Sequence, residues 1–317
     1  MQKRKLGSSS LEVAPLTLGG NVFGWTIDEK KSFEILDAFI AAGFNLIDTA
    51  DVYSRWAKGH SGGESETIIG NWMKQRSNRD KVIIATKAGG DMGQGKKDIS
   101  KKHILKAAED SLRRLQVDHI DLYQTHWDDN ETPVEETLAA YQQLITEGKV
   151  SYIGASNLSP QRLLASLEAS KKYGLPKYET FQPEYNLYAR EGFEKELEKI
   201  CLDNKIGVIN YYSLAAGFLT GKYRSEADAT KSVRGEGNKK YLNERGFKIL
   251  KALDEVSKDY NSSPASIAIA WLIARPSVTA PIASATSLEQ LDSLIKATQI
   301  NLSEASIQLL NEASAWR

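Results

Sequence analysis

Three short patches each place a titratable residue at or just past the end of an apolar run. They are Asp48-Thr-Ala-Asp-Val-Tyr53, Val82-Ile-Ile-Ala-Thr-Lys87 and Asp121-Leu-Tyr-Gln-Thr-His126. An acid, a phenol, an ammonium and an imidazole delivered to one rim of one sheet suit proton donation to a carbonyl oxygen. A free tyrosine, with a pKa of about 10, is a poor acid at neutral pH. A nearby Lys87 ammonium is expected to stabilise the tyrosinate and lower that value, with Asp48 holding Lys87 charged. His126 is expected to donate to the substrate oxygen and orient it. The set then acts as a general acid aimed at a developing alkoxide. Taken singly, each residue has a plainer reading. Lys87 and Asp48 can form a structural ion pair, or Lys87 a Schiff base. His126 can be a satisfied core histidine, and Tyr53 can be packing.

The elements that must position these groups alternate in type. Strand-like runs occur at Pro15–Gly19, Asn45–Asp48, Val82–Ala85, His119–Tyr123, Val150–Gly154, Glu179–Gln182, Gly207–Asn210 and Thr279–Ile282. Helical spacing predicts helices at 31–42, 64–76, 101–115, 134–147, 161–173, 194–204, 244–260 and 303–314. Ser100 reads as an N-cap. Ser159-Pro160 and Ser263-Pro264 read as N-caps followed by proline at the first helical position. Ser287-Leu-Glu-Gln290 reads as a capping box that opens another helix. Eight strands alternating with helices argue for a parallel sheet, closed most economically as a (β/α)8 TIM barrel spanning residues 1–317 as one domain. An open doubly wound sheet fits the alternation as well, but Gly19-Gly20-Asn21-Val22-Phe23-Gly24 lacks the dinucleotide-fingerprint spacing. Leu6–Val13 reads as an N-terminal β-hairpin able to plug the barrel, and the 303–314 helix is extra to the eighth unit. The longest irregular stretch, Gly221–Lys240, is long enough to be a functional loop.

Active sites of such barrels lie at the C-terminal ends of the strands. The exits of the second to eighth strands here are polar or aromatic: Asp48 and Tyr53, Lys87, His126, Ser156 and Asn157, Gln182, Tyr211, and Ser284 to Gln290. Bulk properties narrow the class further. Lys and Arg together number 41, as do Asp and Glu, so no global field favours nucleic acid or an acidic membrane. A single cysteine, Cys201, excludes an internal disulfide and reads as packing in a reducing cytoplasm. The first residues lack the apolar segment of a signal peptide. No run approaches the roughly 20 apolar residues of a membrane helix.

Over nearly its whole length the chain resembles the aldo-keto reductase family. Four stretches carry the resemblance: Asp48–Tyr53 with Gly63-Glu-Ser-Glu66-Thr-Ile-Ile-Gly70, Asp121–Trp127, Gly148–Asn157, and Gln182-Pro-Glu-Tyr-Asn186-Leu-Tyr-Ala-Arg190. The resemblance implies a (β/α)8 barrel that reduces aldehydes and ketones with NADPH and without metal. It places the catalytic tetrad on Asp48, Tyr53, Lys87 and His126. It also implies that Ser156, Asn157 and Gln182 hold the nicotinamide carboxamide, that Tyr211 rather than Tyr212 stacks on the ring, and that Leu214, Gly217 and Lys222 embrace the pyrophosphate.

Two stretches depart from the family pattern. Where many members carry Lys and Arg for the adenosine 2′-phosphate, this chain has Ser284 and Gln290, in a stretch that also holds Thr286. Hydroxyls, helix-start N–H groups and a loop cation such as Arg234 can take that role, which leaves NADPH expected and NAD possible. The 54–63 stretch is longer than the compact turn of many members. It is expected to bring Arg55, Trp56, Lys58 and His60 to the mouth, either as a solvated loop or as a substrate wall friendly to anions. Trp25, Trp56 and Trp127 can form an aromatic pocket for a small-molecule carbonyl. A rival reading is a regulatory subunit of the same fold, since some such chains serve channels while keeping the tetrad.

Overall fold

The structure, a computed structural model, describes residues 2–231 and 235–316. Eight parallel strands form one sheet: β1 (Thr17–Gly19), β2 (Leu46–Asp48), β3 (Ile83–Ala88), β4 (Ile120–Thr125), β5 (Val150–Ser156), β6 (Tyr178–Gln182), β7 (Gly207–Val208) and β8 (Ile282–Ala283). The strands from β1 to β7 pair consecutively, and β8 pairs with β1 through Ile282–Thr17 and Ala283–Leu18. A bridge from Val208 to Val278, with Thr279 N–H donating to Val208 O at 2.8 Å, joins β7 to the segment entering β8. The sheet therefore curls into a (β/α)8 barrel. A two-stranded antiparallel hairpin, Arg4–Lys5 with Glu12–Val13, precedes β1.

Successive side chains along a strand point to opposite faces, and this alternation sorts the barrel into layers. Leu46, Ala85, Leu122, Ile209, Ala280 and Ile282 pack together inside, with Leu6 and Val13 of the hairpin closing that end. Two residues further along β2, β3 and β4 come Asp48, Lys87 and Gln124. Asp48 is in register with Ala85, and Lys87 with Gln124. An apolar floor thus lies directly beneath a polar layer. The intervening residues, such as Ile47, Ile84 and Tyr123, face the helices and join the larger outer core. Gly154 belongs to the inner face, opposite Gln124. A Cβ there would collide with Thr180 Oγ1 and approach Gln124 Cγ to 3.0 Å, so only glycine fits.

Helices Glu64–Arg76 and Lys101–Leu115 run over the spans their spacing predicts. Ser100, Ser159 and Ser263 cap their helices, each accepting a backbone N–H three residues on. Two expectations need correction. The helix expected over 194–204 is broken into Glu191–Glu194 and Leu197–Asp203, with Glu196 out of helical conformation. Glu194 is held by Arg190, by the Tyr185 hydroxyl and by Trp316, which fixes the first piece independently of the apolar stripe that continues through Leu197 and Cys201. The stretch expected to be irregular, 221–240, contains short helical turns at Glu226–Lys231 and Gly235–Asn238. Cys201 is buried, as a packing residue should be. No helix among the described residues is long and apolar enough to cross a membrane.

Candidate active site

The Lys87 ammonium sits at the centre of the polar layer, fully buried. Its three protons have three acceptors: Asp48 Oδ2 at 2.8 Å, the Thr49 carbonyl at 2.7 Å and Tyr53 Oη at 2.9 Å. Tyr53 Oη itself donates to Asp48 Oδ2 at 3.3 Å. The other carboxylate oxygen of Asp48 accepts from Gln182 Nε2 at 2.9 Å and Gln124 Nε2 at 3.3 Å. His126 follows β4 directly, its ring stacked on Trp127 and edge-on to Tyr53. Its Nδ1 is buried with no hydrogen-bond partner among the described residues. The structure thus brings together the four residues singled out as a tetrad.

The electrostatics differ from the expectation for Tyr53. Burial, and then the Asp48 carboxylate, hold its hydroxyl well above the ordinary tyrosine pKa. Burial pulls Lys87 below its ordinary value, with Asp48 opposing. The lysine does touch the phenol, but its charge is largely matched by the carboxylate that both groups share. A Lys87-lowered tyrosine is therefore corrected to a firmly protonated one. Burial, assisted by Lys87 and Lys97, holds His126 well below the usual histidine value, so it is neutral.

Tyr53 and His126 form the floor of a cavity of about 1140 Å³. That exceeds the roughly 300–1,000 Å³ of sites for drug-sized ligands. Ser156, Asn157, Gln182 and Tyr211 line one part of it. Leu214, Gly217, Lys222, Ser284, Thr286 and Gln290 line the remainder. Trp25, Trp56 and Trp127 line it too, with Trp25 and Trp56 edge to face at 5.4 Å. Tyr211 donates to Asn157 Oδ1 at 2.8 Å, and Asn157 Nδ2 donates to Ser156 Oγ and to the His126 carbonyl. Tyr212, half exposed with a left-handed backbone, also lines the wall. Further along, Ala215, Ala216 and Gly217 have successive positive φ angles of 48°, 54° and 96°. Irregular turns of this kind build anion-binding concavities from backbone N–H groups.

At the segment that departs from the family pattern, Ser284 Oγ donates to Asn21 Oδ1 at 2.6 Å. Ser287 caps its helix as expected by accepting from Gln290 N–H. The reciprocal half of the capping box is corrected: Gln290 Oε1 accepts from Thr286 N–H and Oγ1. Arg234 lies outside the described residues. In the 54–63 stretch only Trp56 lines the cavity. Arg55 pairs with Asp91 at 3.6 Å and His60 approaches Glu64 at 3.9 Å, so of the two readings of this stretch the solvated loop fits Arg55 and His60, and Trp56 alone reaches the cavity. Two site residues escaped the sequence reading. Gln124 sits in a quoted motif, two residues before His126, and its inward alternation marks it. Asn21 lies in a glycine-rich stretch whose spacing carries no signal for a side chain at the site.

The fold and this rim define a (β/α)8 barrel with a cavity at the C-terminal ends of its strands. A sequence model described as the Aldo/keto reductase family matches residues 15–315. The chain belongs to that family. It is 35% identical to "Uncharacterized oxidoreductase YrpG" of Bacillus subtilis, covering 98% of this chain and 95% of that one. It is 32% identical to a "Probable voltage-gated potassium channel subunit beta" of Arabidopsis thaliana, covering 95% and 92%. It is also 32% identical to the "L-glyceraldehyde 3-phosphate reductase" of Escherichia coli, covering 94% and 87%.

Proposed function

We propose that this protein reduces aldehydes or ketones to alcohols with NADPH, Tyr53 being the proton donor. The observation that carries the reading is the contact of Tyr53 Oη with both Lys87 Nζ and Asp48 Oδ2 on the floor of a large cavity. The residues fit a nicotinamide dinucleotide. A polar cluster of Asn157, Ser156 and Gln182 lies beside the floor, and a left-handed turn at 215–217 and Lys222 lie beyond it. When bound, the reduced nicotinamide supplies a hydride to the carbonyl carbon.

This chain's own residues do the rest. Tyr53 gives its hydroxyl proton to the carbonyl oxygen as negative charge develops there. Lys87, already bonded to Tyr53 Oη, stabilises the tyrosinate that is left. Asp48 fixes Lys87, and Gln182 and Gln124 fix Asp48. Neutral His126 can donate to the same oxygen and orient it. Trp25, Trp56 and Trp127 give the reacting end an aromatic wall. The test is consumption of NADPH, followed by loss of its absorbance, with a panel of aldehydes. Absence of turnover with every carbonyl would sink the reading. The similarity to channel β subunits supports a second reading, a nicotinamide-binding regulatory subunit. Tight NADPH binding without turnover would favour it.

A further inference from the structure

A second buried polar cluster lies on the other side of the barrel wall from Lys87. Asp51 follows β2 in the turn that leads to Tyr53, and its N–H donates to the Lys87 carbonyl at 3.1 Å. It is 1% exposed. The Val52 N–H leans toward the carboxylate, but neither oxygen completes a hydrogen bond among the described residues. Around it stand Glu66 and Arg114, from the helices Glu64–Arg76 and Lys101–Leu115, and Tyr123 from β4. Glu66 is fully engaged, accepting from Thr86 Oγ1 at 2.5 Å and from Arg114 Nε at 2.6 Å. Tyr123 Oη is also buried and unpartnered among the described residues.

The charges here do not balance if every acid is ionised. Asp48, Glu66 and Asp51 would carry three negative charges against two positive ones, on Lys87 and Arg114. Asp48 has Lys87 at 2.8 Å and Glu66 has Arg114 at 2.6 Å, which leaves Asp51 without a counterion of its own among the described residues. A buried carboxylate in that position keeps its proton, because desolvation penalises only the charged form. We propose that Asp51 is a positioning residue that rests as the neutral acid, and that its proton keeps the charge behind Lys87 and Tyr53 balanced. Loss of that proton adds a buried negative charge beside the pair. Tyr53 then holds its own proton more tightly and becomes a poorer acid. Burial and Glu66 push the Asp51 carboxyl up to about 8, against the pull of Arg114 and Lys87.

The inference rests on the reductase reading only for its effect on turnover. It is tested by thermal unfolding of the wild type and Asp51→Asn from pH 5 to 9, alongside kcat for an aldehyde. A carboxyl whose folded pKa is raised contributes stability that is full below the ordinary carboxylate range and is lost as pH rises through about 8. The wild type should therefore lose Tm relative to Asp51→Asn as pH climbs, levelling off above pH 8. The wild type should lose kcat over the same alkaline range, and Asp51→Asn should not. Infrared spectra of the wild type should show a protonated carboxyl band at pH 7 that disappears by pH 9, which keeps the test alive if the variant fails to fold. Parallel Tm curves, or no such band, would overturn the proposal. An identical alkaline fall in kcat in both proteins would overturn its link to Tyr53. Diverging Tm curves with no turnover by either protein would support the neutral Asp51 and refute the reductase reading instead.

Discussion

Lys87 Nζ lies 2.9 Å from Tyr53 Oη and 4.6 Å from the centre of its ring, so the ammonium addresses the oxygen and the π-face together. Both contacts favour positive charge beside the phenol, yet the resting phenol is held protonated by burial and by Asp48. Those two facts suit a proton donor. The acid keeps its proton until an acceptor arrives, and the cation is in place when the proton leaves.

Tyr53→Phe removes the hydroxyl and keeps the ring that packs against Trp56 and His126. Carbonyl reduction should fall by about 10²–10⁴-fold, the usual contribution of a general acid. NADPH binding, followed by quenching of protein fluorescence, should persist. A variant that keeps a large part of kcat would remove Tyr53 from the role.

Lys87→Met strands the Asp48 carboxylate in a buried site. Breaking a buried pair by removing one partner costs about 3–5 kcal/mol. Denaturant titration should show a loss of that order, and kcat should fall with it. Lys87→Met and Asp48→Asn combined should cost less than the sum of the two changes. Additive losses would show that the pair is not coupled.

Stability should also depend on His126. Its folded pKa lies well below the ordinary value of about 6.5, so its contribution is present above that pH and is lost as pH falls below it. Between pH 7.5 and 5 the wild type should lose more unfolding free energy than His126→Gln. Equal losses would mean that His126 titrates as an exposed histidine does.

Tyr211 and Tyr212 divide the next expectation. Tyr211→Ala removes both a ring on the cavity wall and the hydroxyl that bonds Asn157. If stacking on a ring is worth about 1–3 kcal/mol, Kd for NADPH should rise roughly 5- to 150-fold. Tyr212→Ala should matter less. The reverse order, measured by titration calorimetry, would shift the stacking role by one residue.

For cofactor choice, Lys222 lines the cavity, while Ser284 and Gln290 are engaged with Asn21 and Thr286. A charge-assisted hydrogen bond is worth about 1.5–3 kcal/mol. Lys222→Ala with Arg234→Ala should raise KM for NADPH about tenfold or more and leave KM for NADH nearly unchanged. Equal use of NADH and NADPH by the wild type would show that no cation here reads the phosphate.

Much of this site was legible because a parallel barrel turns linear alternation into a layer. Asp48, Lys87 and His126 stand at the ends of short apolar runs, and closure alone sets them side by side. Helix limits were legible where a serine cap was present, as at Ser100 and Ser159. The break before Leu197 was not, because the groups that pin Glu194 include Trp316, more than a hundred residues away. The raised pKa of Tyr53 is hidden from the sequence for a related reason. Residue types reveal that a lysine is near, but not how completely a carboxylate has claimed its charge. Arg55 and His60 looked available until their partners, Asp91 and Glu64, were seen.

The pairing of β8 with β1 has a kinetic consequence. Thr17 meets Ile282, and Arg4 of the hairpin donates to the carbonyls of Ile273 and Val278. The floor of the barrel is therefore finished only when the two ends of the chain meet. Loop-closure entropy must be overcome before such distant contacts give any return. Intermediates should hold the consecutive strands from β3 to β6 early, with β1 and the hairpin exposed. Refolding followed by pulsed hydrogen exchange should protect Lys87 and Gln124 amides before those of Thr17 and Leu18.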